Sequence, residues 1–294
     1  MSNGLVSLIL ASTTHPSGDD AMTGRMPVLL AMGICTLVAW AFVRILRPGK
    51  FLLSNTPGRM NSLHILHVFA VYFAYMIIGL LSQLVISAWQ GVKLVSGKPA
   101  PMTVILPATG VMLVVLIVGV MVTASMTFSG GVRRGLGFSS RRWFSDTGRA
   151  IVGFLAILPL CIAALALTKY LADKGILPID LTEHPALGFV RRASTAWVVV
   201  VFVVTAVLAP LGEELFFRGL VQSLLRKHFG GPWPAILATS VLFAAVHAPI
   251  YKDMPALFLL SVALGYNYER TGRLLSPILM HAIFNAVMLW HVLG

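Results

Sequence analysis

Eight apolar runs joined by short polar loops are the feature that most limits what this chain can fold into. They fall at about residues 27–46, 63–89, 103–128, 151–171, 195–225, 234–248, 255–268 and 275–293. A hydrocarbon core of about 30 Å takes roughly 20 apolar residues wound as a helix, so eight spans would use about 160 residues. Of the 294 residues, 57% are apolar and only 11% are charged, against roughly 25% charged in soluble domains. No run alternates with the period of two that marks a half-buried strand. The expectation is an all-α fold, a polytopic membrane helix bundle of about eight hydrophobic helices. A soluble globular enzyme, a disordered protein and a disulfide-built secreted domain are excluded.

Two of the runs have the wrong length for a plain span. Residues 234–248 would make a helix of only about 22 Å, opening at Pro234 and closing before Pro249. Residues 195–225 would reach about 46 Å, with Pro210 in the middle and two glutamates after it. Short and broken helices are tolerated in a bilayer only where protein or a water-filled cavity satisfies the backbone. The last third of the chain is therefore expected to hold a broken helix and a cavity.

The formal charge of +12 does not indicate a nucleic-acid partner. The basic residues sit in short clusters between the apolar runs, where membrane proteins carry them, and the lipid bilayer is the expected partner. With the N-terminus outside and every run crossing, the inner loops hold 13 lysines and arginines and the outer side 8, which favours that orientation. Residues 1–26 read as a polar lead-in without the basic start of a cleaved signal peptide. Residues 27–172 read as N-terminal membrane helices with no interpretable motif. Cys35 and Cys161 lie in separate apolar runs, and both are expected to be buried free thiols. His64 and His67, three apart, can bind a metal in principle but are expected to be interfacial polar residues.

Ionisable groups at membrane depth are costly and mark function, and here they gather late in the chain. In APLGEELFFRGLVQ, Glu214 and Arg218 are four apart and share a helix face, so they can pair. Glu213 is offset from Arg218 by about 140° and is left over, free to act as a base. Phe243 and His247 close the short run, and His281 and Asn285 share a face near the start of the last one. Two aligned donors suit a developing oxyanion. A glutamate with two histidines and an asparagine can activate water and stabilise a tetrahedral intermediate. Glu213, His247 and His281 can equally hold zinc or another divalent metal with an open position, although His-Glu-x-x-His is missing.

Glu213-Glu214-x-x-x-Arg218, Phe243-x-x-x-His247 and His281-x-x-x-Asn285, in this order, resemble the CAAX prenyl protease and bacteriocin-immunity family of intramembrane endopeptidases, also called Abi or CPBP. The resemblance covers roughly residues 195–290, and it makes 195–294 a catalytic membrane domain of that type. It implies a helical bundle around a catalytic cavity and hydrolysis of a peptide bond near or inside the bilayer. By the matching positions, Glu213 activates the water with help from His247, while His281 and Asn285 steady the oxyanion. Glu214 and Arg218 hold the helix end, and Phe243 is a supporting residue. The substrate would be a hydrophobic peptide or the tail of another membrane protein, in the plasma membrane of a prokaryote. The chain departs from the eukaryotic prenyl-processing branch, since Ala248, Pro249 and Ile250 replace the stretch carrying a second histidine. An unprenylated peptide therefore fits at least as well. The alternative is a non-enzymatic scaffold or immunity protein that uses the same fold to bind a partner. A transporter also needs broken helices and buried charge, but the chain has no repeated half. Gly-x-Ser-Gly and Gly-x-Gly-Asp, the marks of other intramembrane proteases, are absent.

Overall fold

The computed structural model describes residues 19–46, 53, 56, 58–95, 98–138, 142–179, 185–247 and 251–293. The polar lead-in up to residue 18, and the segment 248–250 that follows His247, lie outside the described residues. The eight runs form the eight principal helices: α1 (Asp19–Leu46), α2 (Ile65–Trp89), α3 (Met102–Thr127), α4 (Trp143–Asp173), α5 (Thr195–Phe229), α6 (Pro232–Ala245), α7 (Met254–Thr271) and α8 (Leu275–Leu293). An isolated antiparallel bridge between Asn61 and Phe128 is the one extended pairing among the described residues. Four helices, α2 to α5, are long and apolar enough to cross a membrane. Shorter apolar stretches are Pro27–Ala39 within α1, the 14-residue α6, and Leu275–Trp290 within α8.

The bundle is arranged around α5. Helices α2 and α3 pair with each other and pack on α5 from one side, through Leu113, Leu116 and Val120 against Leu215, Phe216 and Leu220. Helix α4 packs on α7 and α8 through Phe154, Leu260 and Met280, while α1 lies against α4. Helices α6 and α8 complete the enclosure of α5. Lipid is as apolar as these side chains, so close packing and internal polar contacts hold such a bundle rather than dehydration. The outward faces stay apolar: Phe69, Phe73, Ile77, Leu80 and Leu84 of α2 are all exposed, as a bilayer requires.

Two expectations are corrected. The long run does not break at Pro210. Helix α5 continues for 35 residues and absorbs the proline by π-winding at Val203–Leu208, with a second π stretch at Leu215–Gln222. A proline ring presses on the carbonyl four residues back and offers no N–H. A wider π turn moves that carbonyl aside without ending the helix. The second correction concerns the thiols. Cys161 is buried, with its Sγ 3.5 Å from the Ala256 carbonyl, but Cys35 is exposed. Helix α1 meets α4 through the face that carries Leu29 and Gly33. Cys35 is two residues on from Gly33, about 200° around the helix, and faces away.

Candidate active site

The late polar residues converge where α5, α7 and α8 meet. Helix α5 carries both glutamates, and Glu214 is wholly buried. Its Oε1 accepts from Nη1 of Arg218 at 2.8 Å and from Nδ1–H of His281 on α8 at 2.9 Å. Arg218, also wholly buried, extends Nη2 to the carbonyl and hydroxyl of Ser261 on α7, at 3.1 and 2.8 Å. Glu214 thus ties α5 to α8 through a single oxygen, and Arg218 extends the link to α7. The expected Glu214–Arg218 pair is present, and the structure adds His281 to it.

Glu213 stands apart from the pair. Its side chain keeps 21% of its surface accessible, and Oε2 lies 3.9 Å from Nε2 of His281. His281 therefore has one carboxylate on each ring nitrogen: Glu214 in hydrogen-bond contact with Nδ1, and Glu213 one step beyond Nε2. Phe243 of α6 fills the next position. Its ring meets His281 edge-on at 5.7 Å and lies 4.9 Å from the Arg218 guanidinium, a cation–π contact. Nδ1–H of His247 donates to the Phe243 carbonyl at 2.7 Å, which leaves its Nε2 as the free nitrogen. Asn285 lies one turn beyond His281 on α8 and donates from Nδ2 to the Thr205 carbonyl of α5 at 2.8 Å.

Glu213, Glu214, Arg218 and His281 thus form one connected group. His247 adjoins it across Phe243, and Asn285 is tied separately to α5. Among the described residues no group of three His, Cys, Asp or Glu side chains is placed to hold a metal. His64 and His67 form a cap on α2: Nδ1 of His67 accepts from the His64 N–H at 3.0 Å, and Nδ1 of His64 from the Leu66 N–H at 3.4 Å.

Sequence reasoning overlooked the polar ladder that carries this group toward the loop end of the bundle. Gln222 donates to the Gly265 carbonyl at 3.1 Å and to Glu269 at 2.9 Å. Glu269 is in turn flanked by Arg59 at 3.7 Å and Arg226 at 3.8 Å. A Cβ at residue 265 would stand 2.7 Å from the Gln222 Oε1, so Gly265 is what allows the approach. The signal was available. Glu214, Arg218, Gln222 and Arg226 recur every four residues on α5, facing Ser261, Gly265 and Glu269 at the same interval on α7.

The region that holds the group also resembles known proteins. Residues 195–287 match the Rce1-like family model, type II CAAX prenyl endopeptidase. The seven candidate site residues of the late motifs, Glu213 to Asn285, all lie within this CAAX-endopeptidase-like region, which is roughly a third of the chain. Among curated proteins, the chain is 33% identical over 118 residues to an uncharacterized 24.3 kDa protein of Escherichia coli, covering 39% of this chain and 46% of that one. It is also 33% identical over 87 residues to UPF0177 protein YaiF of Lactococcus lactis, covering 30% of this chain and 38% of the relative. The chain therefore spans less than half the length of the curated relatives it matches. No solved structure matches it.

Proposed function

We propose that this membrane protein is an intramembrane endopeptidase in which Glu213 activates the attacking water. The observation that carries the reading is the Glu213–His281–Glu214 arrangement, 3.9 Å on one side of the ring and 2.9 Å on the other, inside the region that matches a CAAX endopeptidase model. Glu214 is spent on Arg218 and His281, so Glu213 is the carboxylate left to take a proton. In the reaction, Glu213 removes a proton from water as the oxygen attacks the peptide carbonyl. The proton then passes to the amine nitrogen as the C–N bond breaks. His247, its Nδ1–H occupied, offers Nε2 to the same water. The oxyanion is met by Asn285 through its second N–H, with His281 beside it one turn back on α8. No step is routed through a metal. The substrate is a hydrophobic peptide or membrane-protein tail in the plasma membrane of a prokaryote.

Glu213→Gln tests this directly. The amide keeps the shape but takes no proton, so a base worth about 10²–10⁴-fold is lost while insertion and folding persist. Membrane proteomes from cells carrying the parent and the variant identify the peptide that stops being shortened, and the purified proteins are then compared on it. Parent-level turnover by the purified variant would end the glutamate-base reading.

A further inference from the structure

Asn285 is held by a backbone oxygen that an ordinary helix would not leave free. A carbonyl within a helix is taken by the N–H four residues on in an α turn, or five on in a π turn. Between Val203 and Leu208, α5 is π-wound, and the ladder closes with the Ala209 N–H on the Val204 carbonyl. Ala209 is thereby used one carbonyl early. The next rung would join Thr205 to residue 210, which is a buried proline with no N–H to give. The Thr205 carbonyl is left over, and the Asn285 amide donates to it at 2.8 Å. The Thr205 hydroxyl is occupied elsewhere, on the Val201 carbonyl at 2.8 Å.

We propose that Pro210 is a positioning residue for Asn285. By withholding an N–H from the π-wound turn, it keeps the Thr205 carbonyl as a fixed acceptor, and that acceptor sets which end of the Asn285 amide faces which way. A carbonyl accepts only, so the nitrogen must face α5. One N–H is anchored and the other is the donor that remains. An unanchored amide could turn its oxygen toward the oxyanion and repel it. That the remaining N–H serves an oxyanion rests on the proposed function; the anchoring of Asn285 does not.

A four-protein cycle tests both parts: parent, Pro210→Ala, Asn285→Ala and the double variant, each full length in detergent. Asn285→Ala lowers the unfolding midpoint in the parent, because it strands the Thr205 oxygen. In the Pro210→Ala background the drop is less than half as large, since the restored N–H takes that oxygen. An equal drop in both backgrounds overturns the proposal. On a cleaved peptide, Pro210→Ala lowers kcat with KM unchanged, and this loss disappears once Asn285 is already alanine. Equal kcat losses in both backgrounds overturn the positioning role and leave the protease reading standing. A parent that cleaves nothing removes the protease reading, while the thermal cycle still decides the anchor. Should Pro210→Ala not fold, hydrogen exchange in the asparagine-¹⁵N-labelled parent decides it. One slowly exchanging side-chain proton, missing in Asn285→Ala, is expected; two protons exchanging as fast as those of an exposed asparagine would overturn the proposal.

Discussion

Replacing Arg218 by methionine isolates the energetics at the centre of the site. The arginine side chain is fully buried, donates to Glu214 at 2.8 Å and holds the Ser261 carbonyl and hydroxyl. Without it, Glu214 keeps one charged carboxylate in the bundle, fully buried, with Oε2 already lacking a partner and only the His281 N–H on Oε1. Breaking a buried pair from one side costs about 3–5 kcal/mol, most of it the penalty of the stranded charge. At about 2–4 °C per kcal/mol, Arg218→Met lowers the unfolding midpoint by roughly 6–20 °C. Removing the charge as well reverses part of this. Glu214→Gln combined with Arg218→Met keeps an acceptor for His281 and removes both charges of the pair, so the double variant melts above Arg218→Met alone. The assay is thermal unfolding of Arg218→Met, Glu214→Gln, the double variant and the parent in one detergent. If the double variant melts as low as the two single losses added together, a stranded charge is not what destabilises Arg218→Met, and the account of the pair is wrong.

The other predictions concern the metal, the loop end of the bundle and a tight turn. Prolonged dialysis against a chelator leaves proteolysis unchanged, and purified protein carries far less than one zinc per chain; equimolar zinc lost in step with activity would instead make His247 and His281 ligands. Glu269→Ala removes the acid between Arg59 and Arg226 and costs about 3 kcal/mol, read as a lower unfolding midpoint, whereas an unchanged midpoint would show that the ladder beyond Gln222 is not structural. Gly137→Ala lowers the yield of folded protein in the membrane fraction. The residue sits at φ +70°, and a Cβ there would collide with the Gly272 carbonyl, so normal yield and melting would show that this loop does not pack on the α7–α8 turn.

The helices themselves were legible because their cause is local. Each apolar run is long enough to satisfy its own backbone, and a bilayer allows little else; all eight runs became helices, with ends shifted by up to eight residues. The pairing of Glu214 with Arg218 was also legible, since an interval of four places both on one face of whatever helix carries them. The branching of Glu214 to His281 was not. Those residues are 67 apart in sequence, and only the packing of α8 on α5 brings a ring nitrogen to the carboxylate. The state of Pro210 was likewise undecided by sequence. A proline in a long apolar run can break a helix, kink it or be absorbed by π-winding, and the choice depends on whether another element satisfies the backbone group it frees. Here Asn285 of α8 does so, 80 residues away. Cys35 makes the same point at the other end of the chain: its apolar run foretold a helix, but which face of that helix meets protein was set by α4. Sequence settled which segments are helical and which residues share a face. The tertiary structure decided which faces meet, because hydrogen bonds between helices depend on angles and offsets that no single helix contains.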